Sequence, residues 1–367
     1  MSQQSLSPSV SSNNLNSFLE ARQTLDRKLA GYKPLGPDDS NTDFLQVFFK
    51  YLGPDGQANL AEDVHQCVDD DGIRQLVRSL DTGLLRPMRA NGGITSPFIS
   101  PRFGVEDSIE NLLADDTHSL NREQQRLRNH CLARDGQRCV ITNAWNSGYT
   151  QRPNPSVHAP LVAAHIIPFA LGQFQENAPD DRYRHASIWT NLNRYFPELR
   201  SRLHFSSEDI NEEQNVMMMV GAFHDEFGSF HFVLEATETP NRYRLKEFSN
   251  FASLFLPLLP QNRIVILNSH DGRYPPPNPI LLAVHAAVGN ILNLTAHGEK
   301  IEELKQELGD MGGGLARDGS TRIGDLLSVS KLSLLSTVTN NRPEKKKQRR
   351  LPPIFTGAEN ESPNVTR

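Results

Sequence analysis

Two histidines and one asparagine stand at positions where their side chains could support metal-assisted hydrolysis. His165 lies in an apolar segment, residues 161–167, that predicts a strand. Asn215 and His224 follow, nine positions apart (224 − 215). A neutral imidazole with a pKa of about 6.5 can take a proton from water, and a divalent metal can stabilise the charge that builds on a phosphate and its leaving oxygen. These residue types therefore suit hydrolysis of a phosphodiester bond.

The segments around these residues predict the elements that position them. A second apolar run at 216–220 is followed by a predicted helix, and the spacing places His224 about two turns into that helix. Its imidazole can then face the strand that carries His165. Further predicted elements are a short strand at 139–142, a long connection at 170–210, a hairpin from 229–235 and 242–248, a strand at 263–268 and a helix at 280–294.

The order of these residues resembles the HNH endonucleases, most closely the fungal branch of the type-2 HNH family. The resemblance covers roughly residues 125–250. It implies an α+β fold with a ββα-metal (His-Me finger) HNH core, a helical N-terminal region and a helical C-terminal extension. The matching segments are Arg134-Asp135-Gly136, 138–142, 163–168, Asn215 and 224–227, with Trp189, Leu192, Tyr195-Phe196-Pro197, 230–235, Tyr243 and the helix at 281–287.

The resemblance also implies roles for individual residues. His165 would be the general base, and His224 would hold the metal on the helix with help from Asp225. Asn215 would act with His165, either by ligating the metal or by fixing the loop that holds His165; from its position alone, it could also cap the following helix. The implied cofactor is Mg²⁺ or Mn²⁺, with Zn²⁺ as an alternative. The implied partner is nucleic acid, with DNA preferred.

Two positions depart from the family pattern. Ala164 precedes the base, where many HNH enzymes have a metal-ligating Asp or His, and Gly228 stands where related bacterial sequences have an Asp. The departures support a second hypothesis, a catalytically decayed HNH scaffold that serves as a nucleic-acid or protein-interaction module. The ordered His-Asn-His triplet favours the first, a metal-dependent endonuclease that hydrolyses DNA phosphodiester bonds.

Composition limits the class of protein. The chain has 367 residues, of which 37% are hydrophobic, and a net charge of −5, which argues against a protein that simply coats nucleic acid. Its three cysteines form no Cys-x-x-Cys pair, which excludes a four-cysteine zinc module and fits a reducing compartment. We expect no signal peptide at the start of the sequence and no membrane span.

Two arginine-rich segments, 122–152 and 182–204, allow two interpretations. The arginines could contact phosphates, or they could form a solvated face with ion pairs to the acidic N-terminal region. In the second segment we prefer phosphate contact, because aromatic residues interleave with the arginines and could stack or wedge. The predicted nucleic-acid-binding residues are Arg182, Arg184, Arg194, Arg200 and Arg202, and the aromatic residues are Tyr183, Trp189, Tyr195 and Phe196.

The chain divides into five predicted parts. Residues 1–16 are predicted to be disordered, 17–115 to form the helical N-terminal region, 120–260 the HNH nuclease-like domain, 261–310 the C-terminal extension and 315–367 a flexible basic tail. The tail's basic run predicts nuclear import and hence an intracellular, nuclear protein; the alternative is a solubilising or nonspecific nucleic-acid tail. That run contains Lys345, Lys346, Lys347, Arg349 and Arg350.

Overall fold

The computed structural model describes residues 12–92, 117–172 and 179–295. Helices and small sheets alternate along this part of the chain, in agreement with the α+β prediction. Within it, no helix combines the length and apolarity that crossing a membrane would require. The basic tail, and with it the proposed import signal, lies outside the described residues, as do most of the segment predicted to be disordered and residues 93–116.

The N-terminal region is a set of helices that pack around aromatic side chains. In the second helix, Phe44, Leu45, Phe48 and Phe49 recur at helical spacing and are all buried. The fourth helix begins after an N-cap, Asp69, whose side chain accepts a bond from the Gly72 amide. The helices are α1 (Ser12–Leu29), α2 (Asn41–Tyr51), α3 (Pro54–Gln66), α4 (Asp70–Leu80) and α5 (Arg86–Gly92), with a π-helical turn at Asp81–Leu85 between the last two.

The central element is a pair of antiparallel strands followed directly by a helix. Strand β3 (Leu161–His165) pairs with β4 (Val216–Val220), with Leu161 opposite Val220 and His165 opposite Val216. Helix α9 (Gly221–Gly228) begins at the residue after β4 and packs against β3. Preceding elements are α6 (Thr117–Arg134) and the parallel pair β1 (Trp145–Asn146) and β2 (His158–Ala159); α7 (Pro179–Tyr195) and α8 (Glu198–Ser201) lie between β3 and β4.

A second, three-stranded sheet follows α9 in the chain, and its first strand contacts that helix. Strands β5 (Phe232–Ala236), β6 (Arg242–Glu247) and β7 (Ile264–Ile266) pair antiparallel in the order β5-β6-β7. Helix α10 (Pro279–Leu294) packs on β5, where Gly289 allows close approach because a Cβ there would collide with Val233. The buried side chains of all these elements form one continuous hydrophobic core.

One buried ion pair ties the end of α6 to β4. The Arg134 Nε donates to the Asp135 Oδ1 at 2.7 Å, and both side chains are almost fully buried. Asp135 in turn accepts the Met218 amide of β4 at 2.9 Å. The guanidinium also donates to three backbone carbonyl oxygens that are distant in sequence, those of Glu213, Val216 and Pro275.

Several predicted boundaries differ from the structure. Residues 139–142 form a turn, not a strand, because the Val140 amide bonds to Met218 and the Cys139 Sγ accepts the Thr142 amide. The described residues of 170–210, predicted as a long connection, contain the helices α7 and α8. Helix α1 begins at Ser12, inside the segment predicted to be disordered, and β7 extends the sheet beyond the predicted boundary at 260. The hairpin of β5 and β6 was predicted correctly.

Candidate functional site

His165 is the last residue of β3 and is only partly exposed. Its Nε2 lies 3.2 Å from the Oδ1 of Asn211, and its ring tilts against Phe169 with 5.4 Å between centroids. An amide oxygen only accepts hydrogen bonds, so this contact places the imidazole proton on Nε2 and leaves the lone pair on Nδ1. The atom of His165 that is able to accept a proton is therefore Nδ1.

The surroundings keep His165 neutral. Burial of the ring lowers the pKa of His165 to about 4, the proximity of His224 acts in the same direction, and the bond to Asn211 opposes both. At neutral pH the imidazole is thus unprotonated and able to act as a base.

His224 occupies α9, one turn into the helix rather than the predicted two. The difference arises because β4 uses the five residues before Gly221, so His224 is only the fourth residue of α9. The side chain is 7% exposed, and its Nδ1 lies 3.1 Å from the Oδ1 of Asp225. A carboxylate accepts from the proton on Nδ1, which leaves the lone pair of His224 on Nε2.

Asp225 was predicted to help ligate a metal, and that role stays a prediction. Its carboxylate contacts Nδ1 of His224, while most of the side chain faces solvent. A carboxylate in this position can fix the orientation of the histidine ring.

Asn215 is fully buried and holds the loop that follows β3. Its Oδ1 accepts the Ile167 amide at 2.8 Å, and its Nδ2 donates to the carbonyl oxygens of Ile167 and Ile210 at 3.0 and 2.9 Å. Of the predicted roles, this geometry fits fixing the loop that carries His165. Both polar atoms of the amide engage backbone groups. It is also not a helix cap, because strand β4 follows it.

Asn211 was not singled out from the sequence. It ends a 3₁₀ turn, Ser207–Asn211, which begins with a capping box between Ser206 and Asp209. The pattern Ser-x-x-Asp is the signal that could have predicted an ordered turn here. It could not have predicted that the turn delivers an amide to His165, because that contact joins residues 46 positions apart.

The described residues offer few ligands for a metal ion. Across residues 12–92, 117–172 and 179–295, no three His, Cys, Asp or Glu side chains come together as a ligand set. Ala164 is buried next to His165, and Gly228 is the last residue of α9. Neither residue supplies the side-chain ligand that the family pattern has at its position. The Nε2 of His224 remains as the protein donor next to His165.

The predicted arginine contacts separate into different classes. Arg194 forms ion pairs with Glu62 and Asp63 of α3, with its Nε 2.7 Å from the Asp63 Oδ2. Arg194 therefore follows the alternative interpretation, an ion pair with the acidic N-terminal region. Arg200 and Arg202 are exposed at α8. Arg182 and Arg184 lie on α7, and their side chains are outside the described part.

The aromatic residues of the insertion serve mainly as core. Trp189, Tyr195 and Phe196 are buried, which excludes them as stacking platforms for bases. Tyr183 differs, because its side chain is 78% exposed. His285 and the three methionines at 217–219 are also buried.

The three motif residues and their order now have a counterpart in a known family. Residues 139–235 match the family model described as HNH endonuclease. The matched segment is less than half of the chain, and it supports assignment of this segment to the HNH family and to nuclease-type hydrolases. It includes β1 to β5 and α9, and thus His165, Asn215 and His224. No curated protein and no solved structure matches the chain.

Proposed function

We propose that this HNH segment is a metal-dependent endonuclease centre that hydrolyses DNA phosphodiester bonds. In this proposal β3, β4 and α9 form a ββα-metal arrangement of the type-2, fungal HNH kind. The observation that carries the proposal is that His165 and His224 stand on contacting elements, because α9 follows the β3–β4 strand pair directly and packs against β3. A base and a metal donor at one place are what phosphodiester hydrolysis requires.

His165 acts as the general base through Nδ1. The bond from Nε2 to Asn211 holds the tautomer, and Asn215 holds the backbone that follows the strand. A water molecule that attacks phosphorus loses its proton to this Nδ1. Positioned bases of this kind contribute roughly 10²–10⁴-fold to the rate.

The donor chemistry fits a metal ion that depends on ligands from outside the protein. His224 can supply Nε2, and the remaining positions fall to water and to phosphate oxygens, as is common for divalent ions in nucleases. When bound, the ion supplies charge stabilisation at the phosphate and the leaving oxygen. An imidazole nitrogen suits Zn²⁺ better than Mn²⁺, and Mn²⁺ better than Mg²⁺. All three ions are therefore included in the test.

The partner in this proposal is DNA, and its phosphates meet the exposed Arg200 and Arg202 together with Arg182 and Arg184. The basic run at 345–350 carries the protein to the nucleus.

One alternative has its own support. A catalytically decayed HNH scaffold that binds nucleic acid or protein would not need a set of metal ligands. The missing three-residue ligand group within the described part of the chain favours it, as do Ala164 and Gly228.

A nicking assay on supercoiled plasmid separates the two proposals. Wild type is compared with His165→Ala and His224→Gln in EDTA, Mg²⁺, Mn²⁺ and Zn²⁺. His65→Ala, an exposed histidine on α3, is the matched control. We expect nicking that requires metal, falls about 10²–10⁴-fold in His165→Ala and is unchanged in the control. Folded wild type that nicks with none of the ions supports the decayed scaffold, and equal nicking by all variants points to a contaminating nuclease.

A further inference from the structure

A long stretch of this acidic chain carries no acidic side chain. The protein contains 43 Asp and Glu residues, yet residues 136–175 contain none, while Arg138 and Arg152 lie within them. The nearest preceding carboxylate, Asp135, is buried and paired with Arg134. A polyanion approaching this part of the surface therefore meets no repulsion from the segment itself.

Aromatic and cationic groups are already stacked in this segment. The guanidinium of Arg138 lies 4.0 Å from the ring centroid of Trp145, and the Tyr149 ring is nearly parallel to that of Trp145, with 5.6 Å between centroids and 9° between planes. All three side chains are partly exposed, and neither ring belongs to the continuous hydrophobic core. Packing of that core therefore does not explain why these side chains stack.

An open cavity is lined by residues that neighbour the stacked rings in the sequence. It has a volume of about 400 Å³, and its lining combines amide and hydroxyl groups and one arginine with the apolar Leu132 and Pro160. Amide side chains present both donors and acceptors, which match the edges of unpaired bases. The lining includes Arg128, Asn129, Gln137, Asn146, Ser147 and Gly148.

The stack is linked to the strand that carries His165. Trp145 of β1 pairs with His158 of β2, and β2 leads directly into β3. Arg128, at the cavity, donates to the carbonyl oxygen of Leu161 at the start of β3. Leu161 and His165 are four residues apart, about 13 Å along a strand. A strand of nucleic acid that reaches His165 can therefore also reach the stack.

We propose that Arg138, Trp145 and Tyr149, here called the stacking platform, bind an unpaired base of a single-stranded nucleic acid, and that the cavity receives the edge of that base. The guanidinium and the phenol ring offer planar surfaces for stacking, which is available only to a base that is not already stacked in a duplex. That this strand is the substrate cleaved at His165 rests on the proposed function.

Tryptophan fluorescence tests the platform without cleavage. The chain has two tryptophans, and Trp189 is buried, so a Trp189→Phe background reports on Trp145. In EDTA, with His165→Ala added, a 12-mer of thymidine nucleotides should quench Trp145. Arg138→Met and Tyr149→Ala should weaken binding about tenfold or more, given the usual contribution of one stacked base. Leu254→Ala, at an exposed apolar residue outside the proposed nucleic-acid contacts, should bind as the background protein does.

The outcomes separate this inference from the proposed function. A protein that nicks plasmid but shows no quenching, or whose two platform variants bind normally, overturns the platform and leaves the nuclease intact. Quenching lost in the platform variants, in a protein that never nicks, supports the platform and removes the nuclease. If a duplex of the same length binds as tightly as the single strand, the proposal that the platform binds an unpaired base is wrong. Binding affinity measured by anisotropy gives the same comparison in native Trp189 protein if the Phe background is unstable.

Discussion

The Oδ1 of Asn211 lies 3.2 Å from the Nε2 of His165, and Asn211 sits in a 3₁₀ turn that Asn215 holds through the Ile210 carbonyl. The orientation of the proposed base thus depends on a second asparagine, outside the His-Asn-His triplet.

Asn211 is expected to position His165 rather than to touch the substrate. Asn211→Ala removes a bond that raises the pKa of His165, so the acidic limb of the rate profile should move to lower pH while the maximal rate falls about tenfold. Asn211→Asp should move the limb to higher pH, because a carboxylate stabilises the imidazolium. The pH dependence of kcat distinguishes these shifts from simple loss of stability, and identical limbs in all three proteins would remove Asn211 from the mechanism.

Asn215 is expected to act on stability and not on metal affinity. Asn215→Ala leaves the buried amide and carbonyl of Ile167 without partners, which costs about 1–3 kcal/mol for each unsatisfied group. Denaturant unfolding measures this loss, with Asn250→Ala as the control at an exposed asparagine. Calorimetric titration with Mn²⁺ should give the same affinity for wild type and Asn215→Ala under conditions where both are folded. A large drop in that affinity would return Asn215 to the ligand set.

Acid should destabilise the protein through its buried histidines. Burial lowers the pKa of His285 to about 3, against the opposing bond to the Phe227 carbonyl, and lowers that of His165 to about 4. Below the ordinary pKa of about 6.5 the unfolded chain binds protons that the native chain does not, so stability falls as the pH drops from about 6.5 towards 4. In His285→Phe, which keeps a flat ring between Phe227 and Phe230, unfolding should take up about one proton fewer in this window. Urea titrations at pH 7 and 5 measure the free energy of unfolding at each pH. An equal loss of that free energy in wild type and His285→Phe would contradict the assignment to His285.

The arginines of the insertion should divide by function. Arg194→Gln breaks the pairs with Asp63 and Glu62 and should lower stability by about 1–2 kcal/mol while leaving the affinity for DNA unchanged. Arg200→Gln and Arg202→Gln should weaken DNA binding, more so at low salt, and leave the melting temperature within a degree or two. Anisotropy at two salt concentrations and thermal unfolding measure both properties. Weaker DNA binding by Arg194→Gln would restore its predicted phosphate contact.

Local patterns predicted the elements that carry the motif. The apolar segment at 161–167, the apolar run at 216–220 and the hairpin from 229–235 and 242–248 were each predicted from neighbouring residues, and the structure contains all three elements. Helix α10 was predicted to within one residue for the same reason, because its apolar positions recur at helical spacing.

Contacts between distant segments could not be predicted from spacing. Arg194 meets Asp63 across 131 positions, and no local pattern distinguishes that ion pair from a phosphate contact. The turn at 139–142 has the β-branched composition of a strand, but tertiary bonds to β4 override that preference. The sequence likewise does not predict which ring nitrogen of His224 the carboxylate of Asp225 contacts.

The buried guanidinium of Arg134 joins carbonyls from three parts of the chain, at Glu213, Val216 and Pro275. Any opening of the loop before β4 must break this shared anchor, and an unpaired buried charge is too costly to leave behind. The end of α6, the loop around Asn211 and β4 should therefore open as one cooperative unit, with amide hydrogens that exchange together instead of fraying in turn.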